Sequence, residues 1–150
     1  MGLREDLGRG PVGLDTVAFI YFIEEHPDYL PLLDPIFEAV DGGKLQVVTS
    51  SLTLLEVLVV PYRSGNLPLA QKYEWLLTRS RGLTLVDLDL PLLRGAAKIR
   101  ALYPTARTPD AIQLCAALSA GCSSLVTNDR ALPAVPGLRI VQLDGYLRSP

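Results

Sequence analysis

A chain of 150 residues with 49% hydrophobic side chains holds enough apolar material for one domain with a full core, without metal or disulfide staples. A formal net charge of −2 and a pI near 5.3 exclude a protein that coats nucleic acid through bulk charge, while leaving room for a local basic patch. The longest apolar runs, such as Leu52 to Val60, are interrupted by Glu56 and are too short to cross a bilayer, and the segment Met1 to Gly10 lacks the apolar stretch of a signal peptide. Cys115 and Cys122 read as small hydrophobes, which fits a reducing cytoplasm.

Residues 1–11 read as a short tail and residues 12–150 as a single domain. Pro11 to Leu14 predicts a short strand ending at Asp15-Thr16, followed by a nearly all-apolar helix over Val17 to Glu25. Pro27 breaks that helix. Leu33, Ile36, Phe37 and Val40 mark a second helix from Tyr29 to Val40, which Gly42-Gly43 stops. Gln46 to Thr49 predicts the next strand. Ser50 or Ser51 stands where it would cap a helix from Leu52 to Val60, ended by Pro61 and carrying Glu56 as its one charge. After the loop Ser64-Gly65-Asn66, Leu69 to Thr78 predicts an amphipathic helix. Leu83 to Asp87 alternates as a strand does, and Asp89 and Pro91 open a helix running to about Leu102.

Thr108 is placed to cap a helix whose first residue is Pro109, where a missing N–H costs nothing, and this sets Asp110 in the positively polarised first turn. That helix runs to about Ala120 with only Gln113 and Ser119 clearly polar, so protein must cover most of its circumference before Gly121 ends it. Ser124 to Val126 reads as a buried strand, Thr127-Asn128-Asp129 as the turn leaving its carboxyl end, and Arg139 to Leu143 as a final strand. Strands alternating with helices predict an α/β fold, a three-layer α/β/α sandwich around a parallel sheet of roughly five strands.

Elimination narrows the chemistry. The single histidine, His26, stands in an exposed-looking His-Pro-Asp turn, which argues against a Ser-His-Asp triad or a histidine-rich zinc site. No phosphate-binding loop is present, and Gly8-Arg9-Gly10 precedes the first strand instead of following it. A phosphorelay receiver also uses strand-end acids, but no lysine is suitably placed near the closing strand. Carboxylates remain. Asp15 and Asp129 leave strand ends, Asp110 opens a helix, and Glu56 lies in a helix springing from another strand's end, so all four can meet at one sheet edge.

Four such carboxylates cannot all stay ionised without compensation: either some are protonated or a metal sits among them. All-oxygen ligands suit Mg²⁺ or Mn²⁺, and that pairing favours phosphodiester hydrolysis. Each acid also has a plain reading. Asp110 complements a helix dipole, Asp129 makes an Asn-Asp turn, and Asp15 caps a helix. Glu56 resists one, because its neighbours Leu52, Val59 and Val60 are apolar and the charge calls for a buried partner, a metal or an arginine. Asp28, Asp34, Asp41 and Asp144 read as solvated or turn acids. Arg107 and Arg130 flank the acidic segments and, with Arg94, Lys98 and Arg100 nearby, offer a phosphate path. Tyr62 and Tyr73 are candidate exposed aromatics.

Leu14-Asp15-Thr16, Thr53-Leu54-Leu55-Glu56-Val57, Thr108-Pro109-Asp110-Ala111 and Leu125-Val126-Thr127-Asn128-Asp129 together resemble, in order, spacing and context, the four acidic motifs of PIN-domain nucleases. The resemblance runs from about Val12 to Leu143 and is nearest to the VapC toxins. It implies a Mg²⁺- or Mn²⁺-dependent endoribonuclease, with Asp15, Glu56, Asp110 and Asp129 as the acidic cluster and Thr16 and Thr127 as hydroxyls ordering a ligand or its water. It further implies a homodimer and a VapB-like antitoxin as partners. The sequence departs from the family at Val17, where Asn or Ser commonly follows the Asp-Thr pair, which removes a hydrogen bond from the cluster's surroundings. A PIN nuclease of RNA processing without an antitoxin, and a catalytically silent PIN-like binding module, are the alternative readings.

Overall fold

The computed structural model describes residues 2–147 of the chain. Five strands, β1 (Val12–Leu14), β2 (Val47–Ser50), β3 (Leu83–Val86), β4 (Ser124–Thr127) and β5 (Arg139–Gln142), form one sheet in the order β3-β2-β1-β4-β5 with every pairing parallel. The helices are α1 (Leu3–Leu7), α2 (Thr16–Ile23), α3 (Leu30–Asp41), α4 (Leu52–Ser64), α5 (Leu67–Arg79), α6 (Leu90–Leu102) and α7 (Thr108–Ser119), with a 3₁₀ turn at Leu143–Tyr146. This is the expected three-layer α/β architecture.

The layers follow from strand geometry. Successive side chains of a strand point to opposite faces, so Val47 joins a core with Leu14, Val126, Leu33 and Phe37, while Val48 joins the opposite core with Leu125, Leu114 and Ala117. Helices α1 to α5 contribute to the first core, and α6 and α7 to the second. A strand covered on both faces has no polar side to show, which is why Val12 to Leu14 and Val47 to Ser50 are buried throughout. Gly13 sets how closely α7 can lie on the sheet: a Cβ there would stand 3.1 Å from Ala117 Cβ and 2.9 Å from Leu125 Cδ1.

The strand order has a functional consequence. From β1 the chain winds outward through β2 and β3, then returns to β4 on the other side of β1 and goes on to β5. The boundary between β1 and β4 is therefore the point where the winding reverses, and clefts open there above the carboxyl ends of the strands. Asp15 follows β1 and Asp129 follows β4.

Several local expectations need correction. Residues 1–11 do not form a plain tail: α1 buries Leu3 and Leu7, one turn apart on one face, against the main core. The Arg139 guanidinium donates to the Asp6 carbonyl at 2.7 Å and the Tyr146 hydroxyl donates to the Asp6 carboxylate, which holds the segment down. Pro61 does not end α4. It is buried within the helix, which continues to Ser64 and closes at Gly65 in the left-handed conformation. Thr108 is the first residue of α7 and Arg107 its cap, one position earlier than expected. Tyr73 is not an exposed aromatic: it is 1% exposed, with its hydroxyl donating to Glu24. His26 is half-buried against Tyr21 and Tyr29.

The docking of α1 gives a stability prediction. Leu7→Ala removes a side chain that is 3% exposed and is expected to lower the free energy of unfolding by about 2–3 kcal/mol in denaturant titration. A change below about 0.5 kcal/mol, the range of surface substitutions, would mean that α1 contributes nothing to the core.

Candidate acidic active site

The four predicted carboxylates line one cleft of about 280 Å³, together with Thr16, Val17, Ile20, Arg107 and Pro109. Each arrives from a separate segment. Asp15 is the cap residue of α2, and its carboxylate accepts from the Thr16 N–H at 2.8 Å and from the Thr127 hydroxyl at 2.7 Å. The pairing of Leu14 with Val126 across β1 and β4 sets Asp15 beside Thr127. Thr127 in turn accepts from the Asp129 N–H at 3.0 Å, so one fully buried hydroxyl ties two of the acids together. Asp129 Oδ1 closes its own turn by accepting from the Ala131 N–H at 2.9 Å.

Glu56 lies in the second turn of α4. It is half-buried, since Leu55, Val59 and Val60 around it are 60%, 42% and 62% exposed, and the nearest partner the fold gives it is a hydroxyl. Thr16 donates its hydroxyl proton to Glu56 Oε1 at 2.6 Å. Asp110, the third residue of α7, is 6% exposed, and its Oδ2 accepts from the Arg107 N–H at 3.0 Å. Burial with an ionised partner is what keeps so enclosed a carboxylate tolerable.

The sequence reasoning missed the polar layer beneath the acids. Gln113 is 3% exposed and donates to Thr53 at 2.8 Å and to Thr16 at 3.4 Å, while its Oε1 accepts from the Ser50 N–H at 3.3 Å. That last contact fixes the amide orientation, because a backbone N–H needs an acceptor. Thr53 shares a 2.7 Å hydrogen bond with Thr49, and both are buried. The chain Thr49–Thr53–Gln113–Thr16 thus ends on Glu56. Spacing carried the signal: Gln113 lies three residues after Asp110, and Thr53 three before Glu56, on the helix faces that bear those acids.

Electrostatics separates the acids. Burial pushes the Asp15 carboxyl above its ordinary pKa; hydrogen bonds from Thr127 and the Thr16 backbone oppose this, and the neighbouring charges of Glu56 and Asp129 add to the rise. Arg107 supplies the positive charge of the cleft. Its Nε approaches Asp110 Oδ2 and its Nη2 approaches Asp129 Oδ2, each at 3.4 Å. Arg130 does not line the cleft; its side chain is 79% exposed and approaches Asp144 at 3.8 Å. Asp144 is a turn acid, as expected, but a partnered one: Tyr29 donates to its carboxylate, Asn128 donates to it at 3.2 Å, and the Tyr29 bond lowers its pKa. Arg100 is engaged with the Ala106 carbonyl at 3.2 Å and the Thr108 hydroxyl at 3.0 Å. A larger hollow of about 620 Å³ between α6 and α7 is lined by Leu93, Ala96, Ala97, Ala101 and Ile112 and holds no reacting group beside Arg100.

Four carboxylates in one cleft match Mg²⁺ or Mn²⁺ in chemistry. Two of them already share one cation, the Arg107 guanidinium, and two carboxylate oxygens, Glu56 Oε2 and Asp110 Oδ1, accept no hydrogen bond from the described residues. Among those residues no three potential ligands are gathered tightly enough to hold an ion at once. The set fits such an ion provided that the ion itself draws the carboxylates together.

No curated protein matches the sequence. Solved structures do. One chain of VapBC2 from Rickettsia felis, crystallised with a DNA fragment from the promoter, superposes with a TM-score of 0.66 at 18% identity, over 87% of this chain and 97% of that one. The DNA-bound VapBC of Salmonella typhimurium gives a TM-score of 0.61 at 23% identity over 88% and 97%. The Mycobacterium tuberculosis toxin VapC20, which cleaves the sarcin-ricin loop, gives 0.62 at 13% identity over 76% and 86%. The family model of the PIN domain matches residues 12–138, a span that takes in strands β1 to β4, stops just before β5, and includes all four acidic segments. The chain accordingly belongs to the PIN-domain family.

Proposed function

We propose that this protein is a metal-dependent endoribonuclease that hydrolyses RNA phosphodiester bonds, and that it is the toxin of a VapBC-type pair. The observation that carries the reading is the convergence of Asp15, Glu56, Asp110 and Asp129, from four separate segments, on one cleft at the carboxyl edge of the sheet. Under this reading the four acids hold Mg²⁺ or Mn²⁺. Such an ion, when bound, lowers the pKa of water for attack on phosphorus and offsets the negative charge that develops there.

The chain's own residues supply position. Thr16 holds Glu56 by one oxygen and leaves Oε2 for the cleft; Thr127 and the α2 N-terminus hold Asp15. The Arg107 side chain, 72% exposed at the rim, is the residue best placed to meet a substrate phosphate, and Arg130 extends a basic path beyond it. Val17 and Ile20 form an apolar wall of the cleft. The toxin assignment is supported by the likeness to VapBC chains, and an antitoxin and a second copy of the chain are the partners proposed with it. Exposed Leu55, Val60, Tyr62 and Leu67 on α4 and α5 offer apolar surface for one of them. Among the described residues no helix is long and apolar enough to cross a membrane. On this reading the site of action is the cytoplasm, with its RNA.

Purified protein incubated with a mixed RNA pool tests the activity. Cutting is expected with Mn²⁺, abolished by EDTA, and lost in Asp15→Asn and Asp110→Asn. A protein freed of any antitoxin that cuts nothing would return the silent binding module as the better account. Thr16→Val is expected to reduce cutting by about 10–100-fold while the fold is kept, because Glu56 loses the donor that orients it.

The raised Asp15 pKa has a sign that can be checked without RNA. A folded carboxyl that holds its proton more tightly than the unfolded one costs stability as pH rises from about 3.8 through the raised folded value, and the loss is complete above it. In EDTA, the stability of wild type relative to Asp15→Asn is expected to fall across that window. Parallel profiles for the two would contradict the assignment.

A further inference from the structure

Arg107 is the one cation among the described residues that line the acidic cleft. Its side chain joins two acids that the chain delivers separately, Asp110 from α7 and Asp129 from the turn after β4, each at 3.4 Å. The partners differ in freedom. The Asp110 side chain is 8% exposed and fixed by the Arg107 N–H at 3.0 Å, whereas the Arg107 side chain is 72% exposed and held by those two long contacts alone. Both contacts are long and their guanidinium end is solvated, so the buried Asp110 needs a cation beside it but holds this one loosely. The guanidinium is therefore the member of the cluster that can leave, and its backbone N–H keeps Asp110 oriented after it has gone.

We infer that Arg107 is the built-in counter-cation of the cleft: it neutralises Asp110 and Asp129 while no divalent ion is bound, and it gives up both side-chain contacts when the ion enters. The inference rests on the reading of the four acids as a metal site. One cation is exchanged for another, so the cleft never presents four uncompensated carboxylates. The exchange has a second effect. A guanidinium displaced from Asp110 and Asp129 remains attached at the rim with its donors unpaired, where a substrate phosphate can take them. Ion binding and readiness for the RNA backbone become one event.

Calorimetric titration of Mn²⁺ into metal-free wild type, Arg107→Ala and Asp110→Asn, with thermal melts in EDTA, tests this. Arg107→Ala is expected to bind Mn²⁺ roughly three- to tenfold tighter than wild type, since no competing cation has to leave, and to melt at a lower temperature in EDTA. A residue with a structural role alone would lower the melting temperature and leave the affinity equal or weaker, and either result overturns the inference while the metal site stands. If neither wild type nor Arg107→Ala binds Mn²⁺, the metal reading itself fails and the inference goes with it. Should Arg107→Ala not fold, the wild type decides: the Arg107 side-chain Nε–H resonance is expected to shift on addition of Mg²⁺, and an unmoved resonance in a protein that binds Mg²⁺ overturns the inference.

Discussion

Like charges brought to one place are the constraint on which this structure turns. Asp15, Glu56, Asp110 and Asp129 line a single cleft, and each would raise the pKa of the others if nothing compensated them. The Asp15 pKa is raised mainly by burial, and the neighbouring charges of Glu56 and Asp129 add to the rise. The compensation is layered. Hydroxyl and backbone donors from Thr16, Thr127 and the start of α2 serve Asp15 and Glu56, while Arg107 serves Asp110 and Asp129. Donors alone do not cancel four charges, and this is the physical reason for proposing a divalent ion in the cleft.

The fold makes the crowding possible. A parallel sheet whose winding reverses between β1 and β4 opens a cleft at the carboxyl edge, and the two strands there deliver Asp15 and Asp129 side by side. Gly13 allows α7 to approach the sheet closely enough for Asp110 and Gln113 to reach the same edge. Gln113 then links three elements, accepting from β2 at Ser50 and donating to Thr53 on α4 and Thr16 on α2. Stability and site are thus built from the same contacts, and a polar residue at a core position reaches Glu56 through Thr16.

The fold class and the convergence of the four acids at one sheet edge were legible because both depend on short-range patterns: apolar strand runs, helix periodicity, and acids set just after strand ends or within the first two turns of helices. What failed depends on tertiary context. Five residues of α1 are too few to nucleate a helix in isolation, so only the docking of Leu3 and Leu7 reveals it. Pro61 reads as a helix stop, yet the ring is buried in α4 and the helix closes at Gly65 instead. Tyr73 reads as an exposed aromatic on an amphipathic helix, but its partner Glu24 is distant in sequence. Arg130 stands next to Asp129 in sequence and pairs with Asp144, because side chains of neighbouring residues in a turn diverge. Gln113 was visible as a polar residue in an apolar helix; what it touches was not.

A crystal of the protein soaked in Mn²⁺ and measured for anomalous scattering addresses the central claim most directly. A manganese peak is expected inside the cleft, within coordinating distance of oxygens from Asp15, Glu56, Asp110 or Asp129. A well-diffracting crystal with no peak there, or with its strongest peak on carboxylates elsewhere, would contradict it.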